Sequence, residues 1–263
     1  MRDAMQRLAQ PDEGGGTNMN RNGKKYPCAG AVLRLGAIIV SCSLLACGGG
    51  TGLGPGEIQN REDKLRARLP IDWSIYETSD FAGAIALFEK TLEEADAFEG
   101  IALGVRNAVK AEAQNGIGWS YIRLQNLTAA AQAFGIATQL DRTNADAWVG
   151  WAGVALAQRQ YGDVLQYTNQ ALETDPDLNS ATRIDAAGRS LGHDAVDERH
   201  VRIMLAEANF QLGRYSAVER PDPNNAAAQV RLVDRDFRYR DPGQLLERIS
   251  ELSLDLQDTV SAG

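Results

Sequence analysis

The chain has 263 residues, enough for one ordinary domain or one modest repeat array with a buried core. Its net charge of −8 is unevenly spread: the first 46 residues hold six basic and three acidic side chains, leaving 21 basic against 32 acidic, a net of −11, in the rest. A body this acidic, with no basic stripe, excludes a nucleic-acid binder, which needs clustered Lys and Arg against phosphates.

All three cysteines, Cys28, Cys42 and Cys47, fall at the N-terminal end, so the body can hold neither a disulfide framework nor a Cys-based zinc site. Arg21, Lys24, Lys25 and Arg34 precede an apolar run of nine residues, Ala37–Leu45. A membrane-spanning helix needs about twice that length, roughly 20 residues. A positive region followed by a short apolar one is the layout of a secretory signal peptide, predicted here over residues 1–46. The stretch before Arg21 is polar and partly acidic, and a translation start at Met19 would shorten the signal to Met19–Ala46.

The run ends in Leu44-Leu45-Ala46-Cys47, which resembles the bacterial lipobox. The resemblance implies cleavage before Cys47, palmitate-type acylation of its sulfur and anchorage to a membrane. Gly48 after the cysteine resembles the sorting pattern of outer-membrane lipoproteins, which implies a protein facing the periplasm. Residues 47–60 include GGGTGLGPGE, six glycines in ten residues, and are expected to form a flexible tether. Its reach is on the order of 25 Å.

Helical periodicity and internal repetition dominate residues 61–225. Pro70 suits the first turn of a short leading helix. Residues 71–92 align at an offset of 46 with those from Ile117, pairing Trp73 with Trp119, Ala84 with Ala130 and Phe88 with Phe134. The 12 surplus residues fall near Asp96–Lys110 and are expected as an insertion between helices. Residues 111–144 and 145–178 then repeat without a gap at an offset of 34, pairing Ala113 with Ala147, Gly118 with Ala152, Leu127 with Tyr161, Ala130 with Val164 and Ala137 with Ala171. A second insertion spans Asn179 to Glu198, and residues 201–219 form a fourth unit through Leu205, Ala206, Gly213 and Tyr215. Its second helix is expected to be cut short by Asp222–Asn225. In the tail, residues 226–263, Asp241 suits an N-cap and Pro242 a first turn, with Leu245, Leu246, Ile249 and Leu252 on one apolar face.

The pattern resembles the tetratricopeptide repeat, through Ile117, Gly118, Tyr121, Ala130, Phe134 and Ala137 in one window. In the next, Trp148, Trp151, Ala152, Ala155, Val164, Ala171 and Pro176 match. Gln114, Arg142 and Thr168 depart from it. The resemblance implies an all-α, TPR-type antiparallel helix-hairpin solenoid, about three to four repeats with a C-terminal capping helix. One hairpin cannot bury its apolar face alone, so the units must stack.

No phosphate-binding glycine loop, nucleophile elbow or His-Glu-x-x-His motif is present. His193 and His200, near Asp194, Asp197 and Glu198, fit a solvated loop leading into a helix better than a metal site. The expectation is therefore a protein that is not an enzyme, with no cofactor and no metal. In the family, ligands lie against the first helices of the hairpins. Carried over, that implies a peptide-binding groove of Trp73, Tyr76, Trp119, Ile122, Arg123, Leu156, Glu207 and Phe210. The competing expectation is that Trp73 and Trp119 pack between hairpins, as Trp151 is expected to. The family's clamp for a partner's terminal carboxylate uses Asn where this chain has Trp73, Trp119, Gly153 and Glu207, so that clamp is not implied. The expected function is an envelope scaffold binding other envelope proteins or peptides. The alternative is a small-ligand or glycan-binding lipoprotein of a nutrient-uptake system, with Trp73 and Trp119 stacked on sugar rings.

Overall fold

The computed structural model describes residues 54–176, 178, 196–216 and 224–261. The signal segment, Cys47, most of the glycine-rich stretch, His193 and most of the second insertion lie outside the described residues. Those described are all-helical: α1 (Pro55–Arg66), α2 (Leu69–Glu77), α3 (Phe81–Ala97), α4 (Leu103–Arg123), α5 (Leu127–Leu140), α6 (Ala145–Ala157), α7 (Tyr161–Thr174), α8 (Glu198–Gln211), α9 (Ala226–Val233) and α10 (Pro242–Ser261). Helices adjacent in sequence pack together from α2 to α7, and α8 packs on α7 and α9. In addition, α2 touches α4, α4 touches α6 and α6 touches α8, whereas α3, α5 and α7 make no comparable contact with one another. The first helices of the hairpins therefore form one continuous layer.

The hairpins close alike. Ser79, Gln125, Arg159 and Gly213 have φ of 66°, 61°, 60° and 72°, the left-handed region, and they sit at the same point of each unit, one residue beyond the C-cap of the first helix. Asn126 N–H donates to Tyr121 O, Gln160 N–H to Ala155 O and Arg214 N–H to Asn209 O, bonds that satisfy last-turn carbonyls in the manner of a Schellman motif. Only the fourth turn uses glycine, so the other three bear the steric cost of a Cβ in that region. After the first two turns the next helix starts on a side-chain cap, Asp80 Oδ1 accepting from Gly83 N–H and Asn126 Oδ1 from Ala129 N–H, whereas Gln160 gives α7 no such bond.

Close approach of helices rests on an aromatic ring set against a glycine. Phe88 and Phe134 occur at equivalent places on α3 and α5, and both are fully buried. A Cβ on Gly116 would collide with the Phe88 ring, and one on Gly150 with the Phe134 ring. Each ring thus enters the notch left by a glycine on the first helix of the following hairpin. Gly118 admits Phe134 on its other side, where a Cβ would stand 2.6 Å from Cε1. Burying such a ring contributes on the order of 1.5–3 kcal/mol.

The first hairpin substitutes a polar link for small-residue packing. Thr91 Oγ1 donates to Asp72 Oδ2 at 2.6 Å, Arg68 Nε donates to Thr91 Oγ1, and Arg68 pairs with Glu94 at 2.7 Å. Burial raises the Asp72 pKa, against the lowering effects of the Thr91 hydrogen bond and Arg68.

Several boundaries differ from expectation. Residues 55–60, expected in the tether, belong to α1. The surplus near Asp96–Lys110 is mostly not an interhelix loop, because α4 already begins at Leu103 and is 21 residues long. In the fourth unit Asp222–Asn225 does not end a shortened helix but leads into one: Asn225 caps the eight-residue α9, its Oδ1 accepting from Ala228 N–H, and α9 packs on α8. The tail helix α10 is capped by Asp241, whose Oδ1 accepts from Gln244 N–H. It buries Leu245, Ile249, Leu252 and Leu256 against α8 and α9, and leaves Leu246 exposed.

Two outcomes follow. Gly150→Val should lower unfolding stability by about 1–3 kcal/mol through overpacking, and Gly153→Ala, where added carbon meets open space, should raise it by up to about 1 kcal/mol. Urea unfolding followed by circular dichroism measures both. Asp72→Asn tests the buried carboxyl. Because the folded pKa is raised above 3.8, wild-type stability falls as pH rises through the window above that value, so the variant should gain relative to wild type between pH 3 and pH 7. A constant difference would contradict the assignment.

Candidate functional site

The first-helix layer carries a line of rings and polar groups. From α2, the Trp73 and Tyr76 rings meet edge to face at 5.3 Å, and Tyr76 meets Phe81 at 5.3 Å. Arg123, exposed at the end of α4, sets its guanidinium 4.9 Å from the Phe81 centroid, a cation–π contact. Burial pushes the Tyr76 hydroxyl up to about 12, Arg123 working against that shift and Asp146 with it. Trp73, Tyr76, Trp119 and Ile122 are each at most 8 % exposed.

The two tryptophans make the same pair of contacts one unit apart. Trp73 meets the Phe88 ring at 5.3 Å and donates Nε1–H to Glu112 Oε1 at 2.9 Å. Trp119 meets the Phe134 ring at 5.6 Å and donates Nε1–H to Asp146 Oδ2 at 3.0 Å. Each indole therefore ties its own hairpin to a carboxylate on the first helix of the next. Asn144 Nδ2 donates to Glu112 Oε2 at 2.8 Å, and Asn115 Nδ2 to Asp146 Oδ2 at 2.7 Å. Asn115 is fully buried.

The structure thus brings Trp73, Tyr76, Trp119, Ile122 and Arg123 together along α2 and α4, within one hydrophobic cluster for all but Arg123. The remaining three stand apart. Leu156 packs against Ala155, Val164 and Ala208. Phe210 meets Tyr215 at 5.0 Å beside the C-terminal cluster, and Glu207 is half-buried on α8. Trp73 and Trp119 do the inter-hairpin packing that the competing expectation assigned them, and they do so from within the same seam. Trp151 stacks on Tyr167 at 4.2 Å and rests over Gly135 of α5, in line with its expected place between hairpins.

Glu112, Asn115 and Asp146 were not singled out from the sequence. The signal was there in the 34-residue offset, which pairs Glu112 with Asp146, but an acidic residue near a helix start also serves the helix dipole and gives no hint of a tryptophan partner. His200 occupies the first turn of α8, where Asp197 and His200 form a reciprocal capping box. Among the described residues, no group of three or more His, Cys, Asp or Glu side chains is disposed to hold a metal ion. Among the same residues, no helix is long and apolar enough to cross a membrane. No protein-family model matches the chain, and a search of curated proteins finds no match.

Trp119→Phe would keep the edge-to-face contact with Phe134 and delete the donor to Asp146. It should cost about 1–3 kcal/mol of stability, read by chemical denaturation. A loss below about 0.3 kcal/mol would show that the indole nitrogen contributes little.

Proposed function

We propose that this chain is a non-catalytic interaction scaffold of the bacterial cell envelope: a tetratricopeptide-type solenoid, held by lipid on Cys47 at a membrane facing the periplasm, the outer membrane by the Gly48 pattern. It receives a segment of another envelope protein along its first helices. The observation that carries this reading is the continuous layer of α2, α4, α6 and α8. Along it an aromatic and polar seam runs from Trp73 to Asp146. Four equivalent left-handed turns at Ser79, Gln125, Arg159 and Gly213 support a repeating unit, and α10 supports an end cap. Extended segments bind such layers through a few aromatic and charged anchors surrounded by near-neutral contacts.

The scaffold reading is tested by crosslinking in intact cells, followed by capture of the full-length chain. Arg123→Glu reverses the exposed charge of the seam, and Ile122→Ala trims its apolar lining. Both should reduce recovery of the same partner bands at least about tenfold, a loss of roughly 1.4 kcal/mol. Undiminished recovery with both variants would refute the groove. The anchor is tested separately: Cys47→Ser should abolish incorporation of radiolabelled palmitate and move the protein to the soluble fraction. Continued labelling would mean a different attachment.

A further inference from the structure

The turn between α9 and α10 reverses the charge of the body that carries it. Residues 231–240 hold four arginines and two aspartates, in a chain whose net charge after residue 46 is −11. Two inward aromatics shape this turn: Phe237 is buried in the C-terminal cluster, and Tyr239 packs half-buried against it. In an extended stretch the residues alternating with such anchors face the other way, and Arg238 and Arg240 are accordingly exposed. Arg231 and Arg235 are exposed too, and Leu232 beside them is 59 % exposed. Arg238 Nη1 donates to Arg235 O at 2.9 Å and to Phe237 O at 3.0 Å, which ties the middle of the group together.

The carboxylates nearby are already engaged. Asp234 pairs with Arg248 at 2.9 Å and accepts from Asp236 N–H, and Arg248 holds Glu251 as well. Asp241 Oδ1 caps α10, where the helix dipole offsets its charge. Asp236 is left as the uncommitted carboxylate of the turn. Among the described residues, the side chains of Arg231, Arg235 and Arg240 make no ion pair.

Four cations on one turn are too few and too local to follow a nucleic-acid backbone. They stand out from a turn, whereas capture of an extended segment uses a groove or a sheet edge. A flat array of phosphates meets such a group all at once, and an exposed leucine among the cations can enter the layer below the headgroups. A body of net −11 is repelled as a whole by an anionic surface, so approach is favourable with these cations foremost. Lipid on Cys47 keeps that surface close. Because α1 begins at Pro55, only residues 47–54, at most about 28 Å of extended chain, separate the lipid from the first helix.

We infer that the α9–α10 turn docks on anionic phospholipid headgroups through Arg231, Arg235, Arg238 and Arg240, with Leu232 entering the layer beneath. This rests on the lipid-anchored reading above and adds a second membrane contact to it. Since α1 packs on α3 and α4 at the start of the array and α10 covers its end, the two contacts hold the array at both ends.

The test uses the full-length chain carrying Cys47→Ser and large vesicles of phosphatidylcholine, alone or with about 30 % phosphatidylglycerol, at about 0.1 M salt. Partitioning, read by co-sedimentation, should be at least about tenfold stronger on the phosphatidylglycerol vesicles. Adding Arg235→Glu with Arg240→Glu should cost at least about tenfold there, whereas Arg235→Lys with Arg240→Lys should stay within about threefold. All three proteins share residues 1–46, so their differences report the turn and not the basic N-terminal segment. Both substituted side chains are exposed and unpaired, and circular dichroism checks that the fold is kept. Undiminished binding of the Glu pair to the anionic vesicles overturns the inference. A loss in the Lys pair as large as in the Glu pair also overturns it, since charge would not be what matters. If the gain on anionic vesicles is absent while a fluorescein-labelled SGEDEDEGS peptide binds through the same arginines, the turn serves an acidic protein segment instead. Failure of the anchor shows elsewhere, as palmitate labelling that survives Cys47→Ser, and does not touch the comparison among these three proteins.

Discussion

The Phe134 ring holds the middle of this molecule together. It lies fully buried on α5, between Gly118 of its own hairpin and Gly150 of the next, with Trp119 against it edge to face. An amphipathic hairpin has two apolar sides and can satisfy only one by itself, so stability is shared between neighbours. The ring-in-notch contact settles both the spacing of the hairpins and their register, because a notch one residue away would put a side chain where the ring must go. The indole N–H of Trp119 then reaches Asp146 across the same junction, a polar bond that packing alone would not align. Phe88, Gly116, Trp73 and Glu112 repeat the arrangement one unit earlier. A device that fastens the hairpins thus also lines the seam proposed for binding.

The third junction is built differently. Thr168 stands where the first two have phenylalanine, buried and turned back onto its own helix at Val164 O, and Gly153 replaces the tryptophan. The volume is returned from the other side, since Met204 on α8 occupies the place of Gly116 and Gly150 and packs with Ala155, Val164 and Ala208. The bulky and the smaller side chain have exchanged helices. α8 accordingly divides its faces. Val201 belongs to the main core, whereas Ile203 and Ala206 join α9 and α10 in a separate cluster around Phe237, Leu245 and Ile249. Local openings follow such divisions between clusters.

Much of the layering was legible in the residues, because small and apolar positions recur at 34 residues wherever two helices must approach. The turns were less so. Gly213 advertises a left-handed residue, but Ser79, Gln125 and Arg159 do not, and the tertiary fold imposes that conformation on them. The helix α9 was hidden because Asp222–Asn225 reads as a terminating turn, while Asn225 is in fact the cap that starts the next helix. The surplus residues near Asp96–Lys110 extend α4 toward its N-terminus, since Gly104 falls in the first turn and nothing in Val105–Lys110 breaks a helix. For the site, the apolar members were visible from periodicity. Their polar partners Glu112, Asn115 and Asp146 were not, because a carboxylate joined to an indole 27 or 39 residues away leaves no local mark.

The coupling between α4 and α6 through Trp119 and Asp146 is therefore the claim on which both fold and site depend. A double-mutant cycle of Trp119→Phe and Asp146→Ala, measured by equilibrium urea unfolding, isolates it from the other contacts each residue makes. The two effects should be non-additive by about 1–2 kcal/mol, the double variant losing less than the sum of the singles. Additivity within about 0.3 kcal/mol would mean that the hairpins are joined by apolar packing alone.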